Sequence, residues 1–175
     1  MKRFYDIDGV VAWFSKAIIE RAQEMGYGAD EFPQHPDDVT SWEMGPAFPL
    51  VWKSIKHSEE FWLDRIPAMP YTLPISDNVD GYITSRPVSE TISQRWLLRK
   101  GYPYAPVYNV PKPEMKTKLA LELGVTHFID DKIETVNQMR QAGIRAVLMI
   151  QPYARKRLHE VEESVQYLAE FEKIK

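Results

Sequence analysis

The sequence predicts an α/β protein with a doubly wound, Rossmann-like parallel sheet of about five strands and a small helical cap inserted after strand 1. Short apolar runs typical of buried strands alternate with amphipathic helical patterns along most of the chain, as expected for repeated β-α-β units. A proline-rich stretch interrupts this alternation soon after the first strand. A chain of 175 residues is long enough for one domain with such an insertion.

The first strand is predicted over residues 3–8, where an apolar run leads into an acidic turn. A helix is predicted from about Val11 to Met25, because apolar side chains recur there at helical spacing. Gly26 and Gly28 are expected to end this helix.

The stretch from 29 to 74 contains seven of the thirteen prolines. Proline lacks a backbone N–H and interrupts helices, so this stretch predicts several short helices joined by turns. We therefore divide the chain into a helical cap over residues 13–73 and an α/β core over residues 1–12 and 74–175.

Four further strands are predicted in the second part of the chain, each bounded by polar or turn residues. They cover residues 79–85, 105–110, 126–131 and 145–150.

A helix is predicted after each of these strands. Pro87 is expected to open the first of them, and Gly101, Gly124 and Gly143 to end the first three. The last helix is predicted from about Lys156, on the helical spacing of four apolar residues. These residues are Leu158, Val161, Val165 and Leu168.

The amino-acid composition excludes some classes of function and disfavours others. The absence of cysteine excludes disulfides, thiolate metal sites and cysteine catalysis, and it fits a reducing cytoplasm. The formal net charge of -3 gives no support for a basic face, which disfavours nucleic acid as a partner. No apolar run reaches the length of a membrane span and the start has no signal-peptide pattern, so a cytoplasmic protein is expected. A homodimer is compatible with the sequence.

Polar side chains are concentrated where the predicted strands end or just after them. Ligands of doubly wound sheets bind outside the carboxyl ends of the strands, so these side chains are expected to meet in one crevice. They are Asp6, Asp8, Thr84, Ser85, Lys116, Asp130 and Asp131.

Four carboxylates in one crevice repel each other unless a cation or a bound proton compensates. Mg²⁺ prefers oxygen ligands and binds through carboxylates together with phosphate oxygens. An aspartate can attack phosphorus to form an aspartyl phosphate, and a second carboxyl can transfer the protons. A hydroxyl and an ammonium group can hold the remaining phosphate oxygens. The residue types therefore predict phosphate chemistry at a magnesium site.

The run Asp6-Ile7-Asp8-Gly9-Val10, the threonine Thr84 after Gly-Tyr-Ile, the lysine Lys116 and the pair Asp130-Asp131 resemble the four motifs of the haloacid dehalogenase superfamily. They occur in that superfamily's order, and the resemblance extends from residue 3 to about residue 150. It implies a Mg²⁺-dependent hydrolase with a Rossmann-like core.

The resemblance also implies roles for individual residues. Asp6 is the implied nucleophile, Asp8 the general acid and base, and Thr84 and Lys116 the phosphoryl-binding residues. Mg²⁺ is implied to bind Asp6, the backbone carbonyl of Asp8, and Asp130, with Asp131 nearby as a ligand or as a group that orients the others. A carboxyl at Asp8 favours phosphate esters over dehalogenation, because an alkoxide needs a proton to leave and a halide does not.

Residues 58–70, 82–87 and 128–136 further resemble the 5'(3')-deoxyribonucleotidase family, whose members dephosphorylate nucleoside monophosphates and carry a small cap after the first motif. This resemblance makes a nucleoside monophosphate the favoured substrate. Arg86 departs from the pattern, because several members have proline directly after Thr-Ser. Most of the cap aromatics are expected to form the cap core, and one or two are expected to contact the substrate, with three candidates for this contact. They are Phe14, Trp42 and Trp52.

Several alternatives remain open. Lys118 rivals Lys116 as the phosphate-binding lysine, and Ser85 could cap a helix instead of binding phosphate. The substrate could be a sugar phosphate, another metabolite phosphate or the 3'-phosphate of a nucleic-acid end. A non-catalytic phosphoaccepting domain is disfavoured, because in receiver domains the acidic pair precedes the acceptor aspartate and the lysine comes last, whereas here the acidic pair follows the lysine.

Overall fold

The computed structural model describes residues 1–70, 72 and 79–174. Its centre is one sheet of six parallel strands in the order β3-β2-β1-β4-β5-β6, so the fold class predicted from the sequence is confirmed. The strand count is six where the sequence predicts about five. The strands are β1 (Arg3–Tyr5), β2 (Gly81–Thr84), β3 (Val107–Asn109), β4 (His127–Asp130), β5 (Arg145–Met149) and β6 (Ser164–Val165).

Six α-helices accompany the strands in the described part of the chain. They are α1 (Phe14–Glu24), α2 (Phe48–Ile55), α3 (Glu90–Arg99), α4 (Lys116–Glu122), α5 (Ile133–Gln141) and α6 (Leu168–Glu172). Shorter helical turns are 3-10 helices at Pro36–Asp38, Pro113–Met115 and Pro152–Glu160 and a π-helical turn at Phe61–Arg65. Within the described residues, no helix combines the length and apolar character that crossing a membrane requires.

The sheet separates two hydrophobic cores. Successive side chains of a strand point to opposite faces, so neighbouring residues of β1 enter different cores. Tyr5 lies in the core packed by α1, α2, α3 and α6, whereas Phe4 lies in the core packed by α4 and α5. Helices on both faces make the sheet doubly wound and leave the carboxyl ends of its strands free to hold polar groups.

The prediction of a last helix from about Lys156 is wrong. A 3-10 helix covers Pro152–Glu160, and the chain then forms β6, in which Val165 pairs in parallel with Met149 of β5. The apolar residues that suggested one helical face divide between the two cores. Leu158 packs against the core of α4 and α5, and Val165 lies in the other core. Their helical spacing is therefore fortuitous.

The predicted helix start at Pro87 is also wrong. Helix α3 begins at Glu90, and the hydroxyl of Ser89 accepts a hydrogen bond from the backbone N–H of Ile92 at 3.4 Å. Ser89 is thus the N-cap, since serine oxygens satisfy the free N–H groups of the first turn. Ser85 is not needed for capping and stays near the strand end.

Two segments that are distant in the chain pair with each other, since the carbonyl of Pro67 accepts a hydrogen bond from the N–H of Trp13 at 2.9 Å. The N–H of Met69 donates to the carbonyl of Val11 at 2.7 Å, so the two segments lie side by side. This pairing suits an insertion that leaves the sheet uninterrupted. The predicted boundary between residues 73 and 74 falls outside the described residues, and the cap range 13–73 remains a prediction.

Aromatic side chains hold the inserted segment together. Phe14 stacks on Trp62 with ring centroids 5.5 Å apart and on Trp42 at the same distance. Trp52 and Phe61 approach Phe14 edge-on. Large apolar rings compensate for the small size of the segment, because each buries much surface for few ordered residues.

Candidate active site

The carboxyl ends of three adjacent strands converge on one cluster of polar side chains. Asp6 directly follows β1, Thr84 is the last residue of β2, and Asp130 is the last residue of β4. Because β1 lies between β2 and β4 in the sheet, Asp6 occupies the centre of the cluster.

Asp6 is buried, with 5% of its surface exposed, and both of its carboxylate oxygens have partners. Oδ1 accepts a hydrogen bond from the N–H of Ile7 at 2.8 Å, and Oδ2 lies 2.7 Å from Nζ of Lys116. These contacts hold the carboxylate in one orientation at the end of the strand.

Lys116 bridges two carboxylates. Its Nζ lies 2.7 Å from Oδ2 of Asp6 and 2.7 Å from Oδ2 of Asp130, and the side chain is 2% exposed. Two neighbouring carboxylates raise the pKa of the Lys116 ammonium in spite of its burial, so it is cationic. The rival Lys118 is 79% exposed and lies 3.9 Å from Glu122, far from this arrangement.

Three carboxylates form a candidate cation site. Asp6, Asp130 and Asp131 each offer an oxygen within 4.8 Å of the others, and all three side chains are buried. The donor set consists entirely of oxygen, which suits a hard cation such as Mg²⁺. Lys116 supplies one positive charge to three carboxyl groups, so a divalent cation would compensate the remaining repulsion. The residues present therefore fit the magnesium ion that the sequence predicts.

Crowding of buried carboxyl groups in this cluster raises the pKa values of two of them. Burial raises the pKa of Asp6 to about 7, with Asp130 adding to the effect and Lys116 opposing it. Burial and the neighbouring carboxylates also raise the pKa of Asp131 well above its usual range. Without a metal, these carboxyl groups retain protons to a higher pH than they would in water.

Stability is expected to depend on pH through Asp6 in the metal-free protein. Asp6 in the unfolded chain loses its proton near 3.8, whereas in the folded chain it keeps the proton until about pH 7. As pH rises through this window, the contribution of Asp6 to the free energy of unfolding falls. We expect the stability of the wild-type chain relative to Asp6→Asn to decrease from pH 4 to pH 7 in EDTA, as measured by urea unfolding.

Added Mg²⁺ should reduce this decrease, because the cation binds the ionised carboxylates of the folded chain. A stability difference between the two chains that is independent of pH in EDTA would contradict the raised pKa of Asp6.

Gly9 allows Asp131 to approach the first strand. Its φ of +78° lies in the left-handed region, and a Cβ at this position would lie 2.3 Å from Oδ2 of Asp131. Asp131 also contacts the hydroxyl of Tyr153, and Gln151 donates a hydrogen bond to the carbonyl of Gly9 at 2.7 Å. Residues after β5 therefore help to fix both the glycine turn and the third carboxylate.

Replacing Gly9 with alanine is expected to displace Asp131 from the carboxylate cluster. The change combines backbone strain of about 1 kcal/mol with a collision that the buried Asp131 has little room to avoid. Gly124→Ala is the matched control, since Gly124 also has a positive φ of +68° but no atom within 4 Å of the added Cβ.

Calorimetric titration with Mg²⁺ and urea unfolding would measure both effects. We expect both variants to lose stability and only Gly9→Ala to lose Mg²⁺ affinity as well. Equal Mg²⁺ affinities in the two variants would show that Gly9 is not required for the cluster.

Asp8 stands apart from the three clustered carboxylates. Both of its oxygens accept hydrogen bonds from Arg86, from Nε at 2.9 Å and from Nη2 at 2.7 Å. Its side chain is 14% exposed, whereas that of Arg86 is fully buried. The sequence does not predict this contact between Arg86 and Asp8, because the two residues are 78 positions apart.

A small cavity of about 40 Å³ joins the strand ends to the inserted segment. Thr84, Ser85 and Lys116 line it, as do the three predicted cap contacts Phe14, Trp42 and Trp52. The structure thus brings the predicted phosphate-binding and cap residues to the same space. Trp62 and Lys132 also line it.

A larger cleft of about 470 Å³ lies next to this cavity. Trp42, Asp131 and Lys132 line both spaces, and Nζ of Lys132 lies 4.3 Å from the centroid of the Trp42 ring. Trp42, Asp131 and Lys132 therefore lie where the cavity and the cleft adjoin. Lys132 directly follows Asp130-Asp131 in the chain, but nothing in the sequence distinguishes it from an ordinary surface lysine, so the sequence does not predict it as a site residue.

No model of a protein family matches the sequence, and no curated protein matches it. Solved structures match its fold over nearly the whole chain.

Three of these structures are hydrolases or dehalogenases. One is a HAD family hydrolase from Deinococcus radiodurans R1 with bound phosphate and sodium, with 17% identity, coverage of 97% of this chain and 92% of that chain, and a TM-score of 0.57. Another is an L-2-haloacid dehalogenase with 11% identity, coverage of 96% of both chains and a TM-score of 0.58. A hydrolase from Pseudomonas syringae has 13% identity, coverage of 99% of both chains and a TM-score of 0.56. The chain therefore has the fold of haloacid dehalogenase-type hydrolases.

Proposed function

We propose that this chain is a Mg²⁺-dependent phosphomonoesterase that acts through an aspartyl phosphate on Asp6. The observation that carries the proposal is the buried cluster of Asp6, Asp130 and Asp131 at the strand ends, with Lys116 bridging the first two. A reactive carboxylate beside an oxygen-ligand cation site suits phosphoryl transfer, because positioning and charge stabilisation supply most of its catalysis.

In the first step, an oxygen of Asp6 forms a bond to phosphorus while the bond to the leaving oxygen breaks. Asp8 gives a proton to that oxygen, which leaves as an alcohol. In the second step, Asp8 takes a proton from water as the water oxygen attacks phosphorus. Asp6 is released and inorganic phosphate leaves. Asp8 lines the same cavity as Asp6, as this sequence of steps requires.

Asp6, Asp130 and Asp131 are the side chains that would hold Mg²⁺, together with the backbone carbonyl of Asp8. When bound, the ion neutralises charge on the phosphoryl oxygens and lowers the repulsion that opposes attack by a carboxylate. Lys116 would donate to the phosphoryl group from beside Asp6, and the Thr84 and Ser85 side chains, which line the same cavity, would supply hydroxyl donors.

The favoured substrate is a nucleoside monophosphate. The proposed reaction is hydrolysis of its phosphate ester, which is the activity of a 5'(3')-(deoxy)ribonucleotidase. Aromatic side chains on the cap side of the cavity support this choice, since rings such as Trp42 can stack on a base. The adjoining cleft of about 470 Å³ is in the usual size range of small-molecule sites, and it shares Trp42, Asp131 and Lys132 with the cavity at Asp6.

A phosphatase of small metabolites or sugar phosphates is the second candidate. The cavity at Asp6 measures about 40 Å³, which suits little more than a phosphoryl group while Trp42 stays in place. A substrate with a small leaving group requires the least movement of the aromatic side chains.

Phosphate release from a panel of substrates tests the proposal. The panel contains deoxy- and ribonucleoside monophosphates, sugar phosphates and 3'-phosphorylated oligonucleotides, each with Mg²⁺ and with EDTA. We expect release that depends on Mg²⁺ and is fastest with deoxynucleoside monophosphates. Release from sugar phosphates alone would retain the mechanism and replace the substrate, and no release from any compound would overturn the proposed function.

A further inference from the structure

Arg86 makes a two-point contact with the proposed general acid and base. It follows Thr84 and Ser85 at the end of β2, and its Nε and Nη2 donate to Oδ2 and Oδ1 of Asp8 at 2.9 and 2.7 Å. A planar guanidinium paired with both oxygens of a carboxylate fixes the rotation of the carboxylate as well as its distance.

Two tryptophans hold the guanidinium in place. Its central carbon lies 5.4 Å from the ring centroid of Trp62 and 4.9 Å from that of Trp96. The indole N–H of Trp62 donates to the carbonyl of Ile55 at 3.1 Å, and that of Trp96 donates to the carbonyl of Ile66 at 2.9 Å. Both rings are buried and anchored, so Arg86 has little freedom to leave Asp8.

A contribution to the stability of the fold does not by itself explain the pairing of Arg86 with Asp8. A buried ion pair is weak evidence for stability, because removing two charges from water can cost more than their attraction returns. Asp8 keeps part of its side chain exposed, and both residues line the cavity that contains Asp6. The pair is therefore placed where the orientation of Asp8 affects a bound substrate.

We infer that Arg86 is a positioning residue that holds Asp8 in the orientation for proton transfer, and this inference rests on the proposed phosphatase function. A carboxylate offers about four lone pairs, and Arg86 uses one on each oxygen. One of the remaining positions can carry the proton that passes to the leaving oxygen, and after that transfer it can accept a proton from the attacking water. Proton transfer requires hydrogen-bond distance to those atoms, and a misplacement of about 1 Å can cost roughly 100-fold in rate.

The inference extends to the cap. Trp62 belongs to the segment between residues 13 and 73, and Trp96 belongs to α3 beside the sheet. Arg86 packs between them while it holds Asp8, so displacement of Trp62 would loosen one side of the guanidinium. Asp8 is thus positioned by contacts from both the inserted segment and the core.

The test uses the alkyl phosphomonoester that the unmodified chain cleaves fastest in the panel above, with Mg²⁺ present. Arg86→Met and Arg86→Lys are compared with Arg99→Met, which removes an exposed arginine of α3 that pairs with Asp64. We expect Arg86→Met to lower kcat about 100-fold and to change KM by less than about threefold, because it disturbs proton transfer and not substrate binding. Arg99→Met should leave both constants unchanged.

A double-mutant cycle with Asp8→Asn distinguishes positioning from a general structural role. If Arg86 acts through Asp8, Arg86→Met should cost no more than about twofold in kcat when Asp8 is already replaced. Full additivity of the two losses would overturn the inference, as would a wild-type kcat in Arg86→Met.

Arg86→Lys covers the case in which Arg86→Met fails to fold. It keeps the charge but cannot reproduce the two-point contact, so a kcat reduction of about tenfold that is non-additive with Asp8→Asn is expected. Wild-type kcat in this variant would overturn the inference and leave the proposed function intact. No phosphate release by the unmodified chain would overturn the proposed function and the inference together.

Discussion

Replacing Asp6 with asparagine is expected to abolish phosphate release while the fold survives. Asparagine has nearly the same shape but cannot form the acyl phosphate, so kcat should fall by a factor on the order of 10⁴ or more. The fold should tolerate the change, because burial already opposes the charged form of Asp6 and Lys116 keeps its 2.7 Å contact with Asp130. Circular dichroism and urea unfolding would verify the fold.

The matched control for this change is Asp64→Asn. Asp64 is an exposed aspartate that pairs with Arg99 and does not line the cavity. Its variant should keep the wild-type kcat. Rapid acid quench with phosphate-labelled substrate gives a second readout, because only chains that retain Asp6 should carry label on the protein. Near-wild-type turnover by Asp6→Asn would exclude Asp6 as the nucleophile.

The sequence predicts the fold well where strand and helix patterns are local. The strands β1, β2, β3, β4 and β5 lie within the predicted ranges, because their buried apolar runs and glycine-ended helices are local signals. The two-residue strand β6 has no such signal. Its existence depends on pairing between Val165 and Met149, and this tertiary contact overrides the helical spacing of the sequence.

The residues of the candidate site likewise fall into two groups, those placed by local strand patterns and those placed by tertiary contacts. Asp6, Thr84 and Asp130 stand at the ends of recognisable strands, so the topology of a parallel sheet is enough to place them together. Arg86 and Tyr153 act through side-chain contacts across the fold, with Asp8 and Asp131. A single sequence gives no information on such pairs, so the contact between Arg86 and Asp8 could not be predicted from it.

Replacing Lys116 with methionine is expected to cost both stability and activity. The change leaves Asp6 and Asp130 buried without their shared cation, and breaking a buried ion pair from one side typically costs about 3–5 kcal/mol in the free energy of unfolding. Loss of a positive charge beside the phosphoryl group should lower kcat by a further factor of roughly 100 to 1,000. Urea unfolding and phosphate release measure the two losses separately.

Lys118→Met is the natural control, because it removes the same charge two residues away on the same helix. Lys118 is 79% exposed and 3.9 Å from Glu122, so its replacement should change the free energy of unfolding by less than about 0.5 kcal/mol and leave kcat unchanged. The contrast between the two variants decides which lysine binds the phosphoryl group. Loss of activity in Lys118→Met with retention in Lys116→Met would reverse the assignment.

Mg²⁺ should separate the two functions of Lys116. In Lys116→Met, added Mg²⁺ is expected to recover part of the lost stability, since the cation can neutralise Asp6 and Asp130 when the ammonium is absent. It should not recover kcat, because the methionine side chain has no donor for the phosphoryl oxygens. Recovery of kcat together with stability would show that Lys116 serves only to balance the charge of the carboxylates.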